Sequence, residues 1–292
     1  MTRTKATAIG FSAVLLWALL ALLTVGSAPV PPLQLNAMAF GLGGLVGLVW
    51  TLRNRRFHVL AQVKWPVHAF GTAGLFGYHF LYFSALRGAP PAEAGLIAYL
   101  WPLLIVLFSG MLPGERLRPG HVAGALIALA GAAMVFAGGI SGFRAENLPG
   151  FAFAGAAALT WATYSVGSRQ LGHVPTESVT VFCLATAALS LAAHLALEET
   201  AWPQGAAGWG SVVALGLGPV GLAFYLWDMG VKRGNIQLLG VASYTAPVLS
   251  TFTLVLAGIA PPSWSLFLAA LLIAGGALLA ARASGAGSGD QA

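Results

Sequence analysis

Ten long apolar runs follow one another along this chain of 292 residues. A helix that crosses a bilayer needs about 20 mainly apolar residues, so each run predicts one membrane-spanning helix. The predicted spans are residues 6–27, 32–52, 65–86, 92–112, 120–139, 150–169, 176–197, 208–230, 236–257 and 263–281. The short connections between them are rich in Pro, Gly and Asn, which favour turns. The sequence therefore predicts an all-α, polytopic membrane protein with ten transmembrane helices.

Charged residues are scarce, at 8% of the chain, whereas soluble proteins contain about 25%. A soluble fold of this length could not cover its surface with so few charges, which excludes a cytosolic enzyme, a nucleic-acid module and a disordered chain. The net charge of +6 does not indicate nucleic-acid binding, because the basic residues lie between apolar runs. Membrane lipid is the expected surrounding. The single cysteine, Cys183, allows no intramolecular disulfide.

The basic residues divide unequally between the two sides of the predicted bundle. Twelve of the fourteen Lys and Arg residues fall on the side of the N-terminus, and only Arg87 and Arg144 fall on the other. Basic residues in short loops remain in the cytoplasm, so both termini are predicted to be cytoplasmic. The first span begins with basic residues, as a signal peptide does, but its long apolar run and its counterpart in an internal repeat favour a retained helix.

The internal repeat appears when the sequence is shifted by 145 residues. The matched residues are Gly95, Tyr99, Pro102 and Gly131 with Gly240, Tyr244, Pro247 and Gly276, and, at a shift of 144, Trp17 with Trp161. Each copy holds five spans, and an odd number makes the second copy enter from the opposite side. We therefore expect a first five-helix repeat over 1–147, a second, inverted repeat over 148–281, and a flexible cytoplasmic tail over 282–292. Inverted repeats are typical of carriers that work by alternating access.

Several motifs of the first repeat resemble a known family. They are Tyr82-Phe-Ser-Ala-Leu, Ala94-Gly-Leu-Ile-Ala-Tyr-Leu-Trp-Pro102, Pro113-Gly-Glu115-Arg, Gly120-His-Val-Ala-Gly124 and Gly131. This pattern resembles the EamA-type repeat of the drug/metabolite transporter superfamily, and Trp161-Ala162 with the aromatic central spans is similar to YddG-type amino-acid exporters of bacteria. The resemblance implies a carrier in the bacterial inner membrane. The second repeat departs from the pattern, because Ala260 stands where Glu115 would recur.

Aromatic residues near the middle of the spans are the main candidates for a substrate site. A Tyr or Trp in the membrane interior needs a partner for its O–H or N–H, which favours positions facing the bundle interior. His79 is the one ionisable residue predicted well inside a span, either lining a cavity or joining two helices by a hydrogen bond. The candidate substrate-binding residues are Trp17, Tyr78, His79, Tyr82, Tyr99, Trp101, Trp161, Ser165, Tyr225, Ser243 and Tyr244.

Prolines interrupt matching spans of the two repeats. Pro102 and Pro247 each lack an N–H and are expected to free the carbonyl four residues earlier, at Ala98 and Ser243. Pro219 adds a weaker interruption. Such breaks at matching positions indicate a transporter site and gating elements, although a simple helix bend remains the alternative.

Together these features predict a secondary transporter that exports amino acids, aromatic and other apolar ones included, or related small metabolites. The alternatives are a multidrug or small organic cation exporter of the same superfamily and a passive channel. An enzyme is not expected, since no paired carboxylates, metal-ligand cluster or nucleophile with its base is recognisable, and neither a cofactor nor a metal is expected. Asp228 and Lys232 are expected to form an i,i+4 ion pair. The protein is expected to be a monomer or a homodimer.

Overall fold

A computed structural model describes residues 1–285 of the chain, and every regular element in that range is helical, as predicted. The helices before residue 137 are α1 (Arg3–Trp17), α2 (Leu20–Gly26), α3 (Pro32–Arg53), α4 (Phe57–Ala61), α5 (Trp65–Gly88), α6 (Pro91–Ala98), α7 (Trp101–Ser109) and α8 (Pro119–Phe136). Those after it are α9 (Leu148–Gln170), α10 (Ser178–Leu197), α11 (Gly205–Leu217), α12 (Ala223–Arg233), α13 (Ile236–Ala242), α14 (Thr245–Leu256) and α15 (Trp264–Gly285). Of the predicted tail, residues 282–285 belong to α15, and 286–292 lie outside the described residues.

Each predicted span coincides with one of these helices or with two consecutive ones. Eight helical segments within residues 1–285 are long and apolar enough to cross a membrane. The remaining two long helices are α5, with 24 residues, and α9, with 23. They are less apolar because they carry His, Tyr, Ser and Thr side chains among their Gly and Ala residues.

Prolines mark the beginnings of many helices. A proline stands in the first two positions of α3, α5, α6, α7, α8 and α9. Backbone N–H groups in the first turn have no intrahelical acceptor, so a proline there costs no hydrogen bond. The fixed φ angle of proline also suits the first turn. The prolines that separate the apolar runs in the sequence therefore also set where the helices start.

Four of the spans are interrupted. One break lies just before Pro102 and separates α6 from α7 at residues 99–100, and another lies just before Pro247 and separates α13 from α14 at residues 243–244. Pro219 lies in a π-helical turn, Gly218–Leu222, which joins α11 to α12. The fourth break, between α1 and α2 at residues 18–19, has no proline and was not predicted.

Helices from the two halves of the chain pack against each other in pairs. The pairs are α8 with α15, α3 with α10, α7 with α13, α5 with α9 and α1 with α12. Small residues allow the close approach: a Cβ on Gly276 would lie 2.4 Å from the carbonyl oxygen of Gly124. The glycine stripe of α8 therefore packs within this chain, against α15.

Polar networks lie at the two ends of the bundle. The N-terminal end, which carries Arg3, contains the predicted Asp228–Lys232 ion pair, with 2.8 Å between Oδ1 and Nζ. At the opposite end, the carboxylate of Glu198 accepts hydrogen bonds from Arg87 and from the backbone N–H groups of Leu33 and Gln34. These networks fix the helix ends and leave the middle of the bundle to apolar and aromatic side chains.

Candidate functional site

Four tryptophans meet in the middle of the bundle. Trp17 of α1, Trp101 of α7, Trp161 of α9 and Trp227 of α12 have ring centroids 5.1 to 6.3 Å apart. Each is at most 9% exposed. Most of these pairs adopt edge-to-face or tilted arrangements, which aromatic rings prefer over face-to-face stacking. This cluster, here called the floor, joins helices from both halves of the chain.

A small cavity of about 70 Å³, here called the aromatic cavity, lies on this floor. It is lined by Trp17, Leu20, Tyr78, His79, Tyr99, Trp101, Trp161, Pro219, Val220, Phe224 and Ala246. Ligand pockets commonly measure about 300–1,000 Å³, so a whole amino acid requires these walls to move apart. No charged carboxylate or basic group other than the His79 imidazole is among the lining residues.

The lining of the aromatic cavity combines buried and half-buried side chains. The tryptophans of the floor are buried, whereas Tyr78, His79 and Tyr99 are only half-buried. Tyr99 precedes Trp101 in the connection between α6 and α7, and α6 starts at the opposite end of the bundle.

His79 is held in one orientation by its own helix. Its Nδ1 atom lies 2.8 Å from the carbonyl oxygen of Leu75, and because a carbonyl only accepts, Nδ1 carries the hydrogen. The ring also packs edge-on against Phe40, with centroids 5.0 Å apart. Nδ1 thus bonds within α5 rather than joining two helices, and Nε2 is left for other partners.

The helix breaks contact the aromatic cluster and each other. The indole N–H of Trp17 donates to the carbonyl of Pro219 in the π-helical turn, at 3.1 Å. The backbone N–H of Leu103 donates to the Tyr244 hydroxyl at 3.2 Å, which links the break before α7 to the break before α14. The Thr253 hydroxyl donates to the Ala18 carbonyl, exposed by the break after α1, at 3.2 Å. Residues beside all four breaks line the aromatic cavity, namely Leu20, Tyr99, Pro219 and Ala246.

Six of the eleven predicted substrate-binding residues line the aromatic cavity, and Tyr82 stacks on one of them, Tyr78, at a centroid distance of 6.0 Å. The other four lie elsewhere. Ser165 accepts from the Trp227 indole at 3.1 Å, and Tyr225 packs against Thr180 and Gly43 of neighbouring helices.

Ser243 and Tyr244 also bond outside the aromatic cavity. The Ser243 hydroxyl donates to Leu239 at 2.7 Å, and its carbonyl, predicted to be free, accepts the N–H of Ala246 at 3.1 Å. This carbonyl is bonded because a tight turn precedes α14, so the expectation of a free group at Ser243 was wrong. The Tyr244 hydroxyl accepts the backbone N–H of Leu103.

Several residues of the site were not predicted from the sequence. Phe224 lines the aromatic cavity, and Trp227, which completes the floor, is fully buried. One signal was available for Trp227, since it matches Tyr82 at the repeat shift of 145 residues. Phe224 had none, because phenylalanine has no O–H or N–H group that requires a partner in the membrane interior.

A second, larger cavity of about 870 Å³, here called the polar cavity, opens at the N-terminal end. Its lining combines the start of α1, the connection between α7 and α8, the start of α13 and the last turns of α15. Arg3, Glu115, Arg116 and Arg118 give it charged walls. Phe11 and Ala242 form part of its lining, whereas Trp17 and Ala246 on the same two spans line the aromatic cavity.

Comparison with known proteins assigns the family. The model of the EamA-like transporter family matches residues 4–137 and 148–282. The aromatic amino acid exporter YddG of Ancylobacter novellus is 58% identical over 284 residues, covering 96% of this chain and 98% of the relative. The protein of the same name from Escherichia coli is 30% identical, covering 96% and 97%.

A solved crystal structure with 56% sequence identity superposes with a TM-score of 0.91. The match covers 96% of this chain and 98% of the chain in that structure. A more distant relative, 25% identical over 287 residues, is a probable terminal-alkyne amino-acid exporter of Streptantibioticus cattleyicolor. Two family matches that together span nearly the whole chain leave one assignment: the chain belongs to the EamA-like transporter family.

Proposed function

We propose that this protein is a secondary transporter of the bacterial inner membrane that exports amino acids, aromatic and other apolar ones included. The aromatic cavity is the observation that carries this proposal, because its Trp floor and Tyr walls suit apolar and aromatic side chains. The relatives named as aromatic amino acid exporters support the same substrate class. A multidrug or organic cation exporter is not favoured, because no carboxylate lines the cavity to hold a cation.

The substrate contacts follow from the positions of the lining residues. Trp17, Trp101 and Trp161 would stack on the side chain from below, while the half-buried Tyr78 and Tyr99 would enclose it. The Nε2 atom of His79 and the hydroxyls of Tyr78 and Tyr99 are polar groups of the lining that could bind the backbone groups of such a ligand. Tyr82 would act through its stacking on Tyr78.

Alternating access would use ten spans in two inverted repeats of five. In this proposal α5 and α9 also cross the membrane, their polar side chains facing the bundle interior rather than lipid. The packing pairs support a pseudo-two-fold arrangement: the third span packs on the sixth as the eighth packs on the first. Equivalent fifth and tenth spans, α8 and α15, pack on each other and run in opposite directions.

Pro102, Pro219 and Pro247 would then mark gating elements. Each lies at an interruption, and the interruptions contact one another through Trp17 and Tyr244. A short helical segment can tilt at such a break without disturbing the rest of its span. The N-terminal end would face the cytoplasm, given the distribution of basic residues.

Counterflow in proteoliposomes tests the function. Vesicles loaded with unlabelled phenylalanine or tryptophan should accumulate the labelled amino acid by saturable exchange. Tyr78→Ala removes a half-buried wall and is expected to reduce this uptake at least about tenfold through lost stacking and apolar contact. Trp264→Ala, at a residue that is 81% exposed and lines neither cavity, is the control and should leave uptake unchanged.

Three results would contradict the proposal. One is the absence of amino-acid counterflow by the reconstituted wild-type protein. Another is equal uptake by the Tyr78→Ala and Trp264→Ala variants, which would place the substrate elsewhere. The third is flux that does not saturate, which would indicate a channel rather than a carrier.

A further inference from the structure

Glu115 is the centre of an ionic network at the wall of the polar cavity. Its side chain is 7% exposed and lies in the connection between α7 and α8. Oε2 accepts from the Arg3 guanidinium at 2.7 Å and from the Gln237 amide at 3.2 Å, while Oε1 accepts from Arg169. The carboxylate therefore joins the starts of α1 and α13 to the end of α9.

The two arginines of this network are held very differently. Arg169 is 17% exposed, and it also donates to the backbone carbonyls of Val231 and Gly234 at the end of α12. Arg3 is 53% exposed and extends from the first turn of α1. Because exposed ion pairs contribute little to stability, Arg3 is the partner that another cation can replace on Glu115.

The Arg3–Glu115 pair has the charges that an amino-acid zwitterion needs. The α-ammonium of the amino acid is a cation that can bind Oε2 of Glu115. The α-carboxylate of the amino acid is an anion that a guanidinium binds through two parallel hydrogen bonds. Both groups of the pair line a cavity of about 870 Å³, which is large enough for a whole amino acid. The same wall carries Arg116 and Arg118, which favour the carboxylate further.

We propose that the Arg3–Glu115 ion pair at the wall of the polar cavity is an entrance site for amino-acid zwitterions, separate from the aromatic cavity. A zwitterion inserts between the two side chains, placing its ammonium on Glu115 and its carboxylate on Arg3. The inference rests on the proposed export of amino acids, and it assigns recognition of the backbone groups to this site. Recognition of the side chain belongs to the aromatic cavity.

The entrance site and the aromatic cavity are joined by one helix. Arg3 holds the start of α1 against the connection that carries Glu115, and α1 lines both cavities, with Phe11 in the polar one and Trp17 in the aromatic one. An amino acid bound at the entrance site therefore lies beside the helix that leads to the aromatic cavity.

Transport measured from each side of the membrane tests the entrance site. Everted membrane vesicles present the N-terminal end to the medium in the proposed orientation, and right-side-out vesicles present the other end. In Arg3→Gln, the KM for labelled phenylalanine in everted vesicles is expected to rise about tenfold, as loss of one charge-assisted contact implies. The maximal rate, and the KM in right-side-out vesicles, should stay within about twofold of wild type.

Matched measurements separate recognition from a structural effect. Arg53→Gln removes an exposed basic residue of the same end that does not line the polar cavity, and it should leave both KM values unchanged. Glu115→Gln should raise the KM in everted vesicles as Arg3→Gln does. Phenylalanine methyl ester has no carboxylate to bind Arg3, so Arg3→Gln should not change its KM.

The outcomes distinguish the entrance site from the proposed function. An unchanged KM in Arg3→Gln vesicles, with wild-type amino-acid transport intact, would overturn the entrance site alone. Equal changes from both sides, or the same change for the methyl ester, would also overturn it by indicating a purely structural ion pair. No amino-acid transport by the wild-type protein would overturn the proposed function itself.

Discussion

Trp17 contacts both the aromatic floor and one of the helix breaks. It stands at the end of α1, contacts the three other tryptophans of the floor, and donates its indole N–H to the Pro219 carbonyl. That carbonyl belongs to a π-helical turn, whose backbone groups lack the regular bonding of an α-helix. A single side chain thus satisfies an irregular backbone and forms part of the aromatic cavity.

Trp17→Phe separates these two contributions. Phenylalanine keeps an aromatic ring on the floor but leaves the buried Pro219 carbonyl without its donor, which costs about 1–3 kcal/mol. We expect a lower Tm in detergent, measured by differential scanning fluorimetry. Trp202→Phe, at a residue 60% exposed, is the control. A Trp17→Phe protein as stable as the Trp202→Phe protein would show that the indole N–H contributes nothing.

Among the helices, α8 and α15 form a long contact made of glycine and alanine. Lipid is as apolar as these side chains, so their association depends on close packing rather than on the hydrophobic effect. Gly124 and Gly276 allow this, since the backbone of each helix occupies the space that a Cβ on the other would need. The adjacent Gly275 has no atom within 4 Å of its Cβ position.

Gly276→Ala and Gly275→Ala form a matched pair that tests this packing. The Cβ at 276 would lie 2.4 Å from the Gly124 carbonyl oxygen, so the helices must separate, at a cost of about 1–3 kcal/mol. Alanine at 275 meets nothing and is the better helix former. We expect a lower Tm for Gly276→Ala and an equal or higher Tm for Gly275→Ala. Equal losses in both variants would contradict the close α8–α15 contact.

The two ends of the molecule differ in their number of basic residues, which favours one orientation in the membrane. Most Lys and Arg residues fall at the N-terminal end, and the buried acids at the opposite end, Glu93 and Glu198, are bonded by backbone N–H groups. Basic residues in short loops remain on the cytoplasmic side. The polar cavity would then receive substrate from the cytoplasm, and the aromatic cavity would release it outward.

Cysteine labelling tests this orientation in intact cells. Cys183 is fully buried, and Cys183→Ser provides a background without native thiols. A membrane-impermeant maleimide should label Ala145→Cys, an exposed position at the opposite end, and should label His58→Cys only after the cells are opened. Labelling of His58→Cys in intact cells, with Ala145→Cys protected, would reverse the orientation and the direction assigned to each cavity.

Much of the architecture follows from local sequence. Apolar runs and prolines predict where the helices lie and begin, Pro102 and Pro247 predict two interruptions, and the spacing of Asp228 and Lys232 predicts their ion pair. The apolar runs extend over about 20 consecutive residues, and the proline breaks and the ion pair depend on residues within about one helical turn. The family resemblance was also readable from motifs in the first repeat.

The membership of the site was decided by tertiary structure. Consecutive helical residues differ in direction by about 100°, and so Phe224 lines the aromatic cavity while its neighbour Tyr225 packs on Gly43 and Thr180. No local pattern states which way a mostly apolar helix is rotated, because nearly all its faces are hydrophobic.

The same reason explains the contacts between distant segments. Sequence alone predicted a membrane bundle with interrupted helices and with aromatic residues near the middle of its spans. Only the packing of α1, α7, α9 and α12 decided that four tryptophans form one floor, and only the meeting of three helix ends placed Arg3, Arg169 and Gln237 on Glu115. Partners more than 50 residues apart are chosen by how whole helices fit together, which no short stretch of sequence contains.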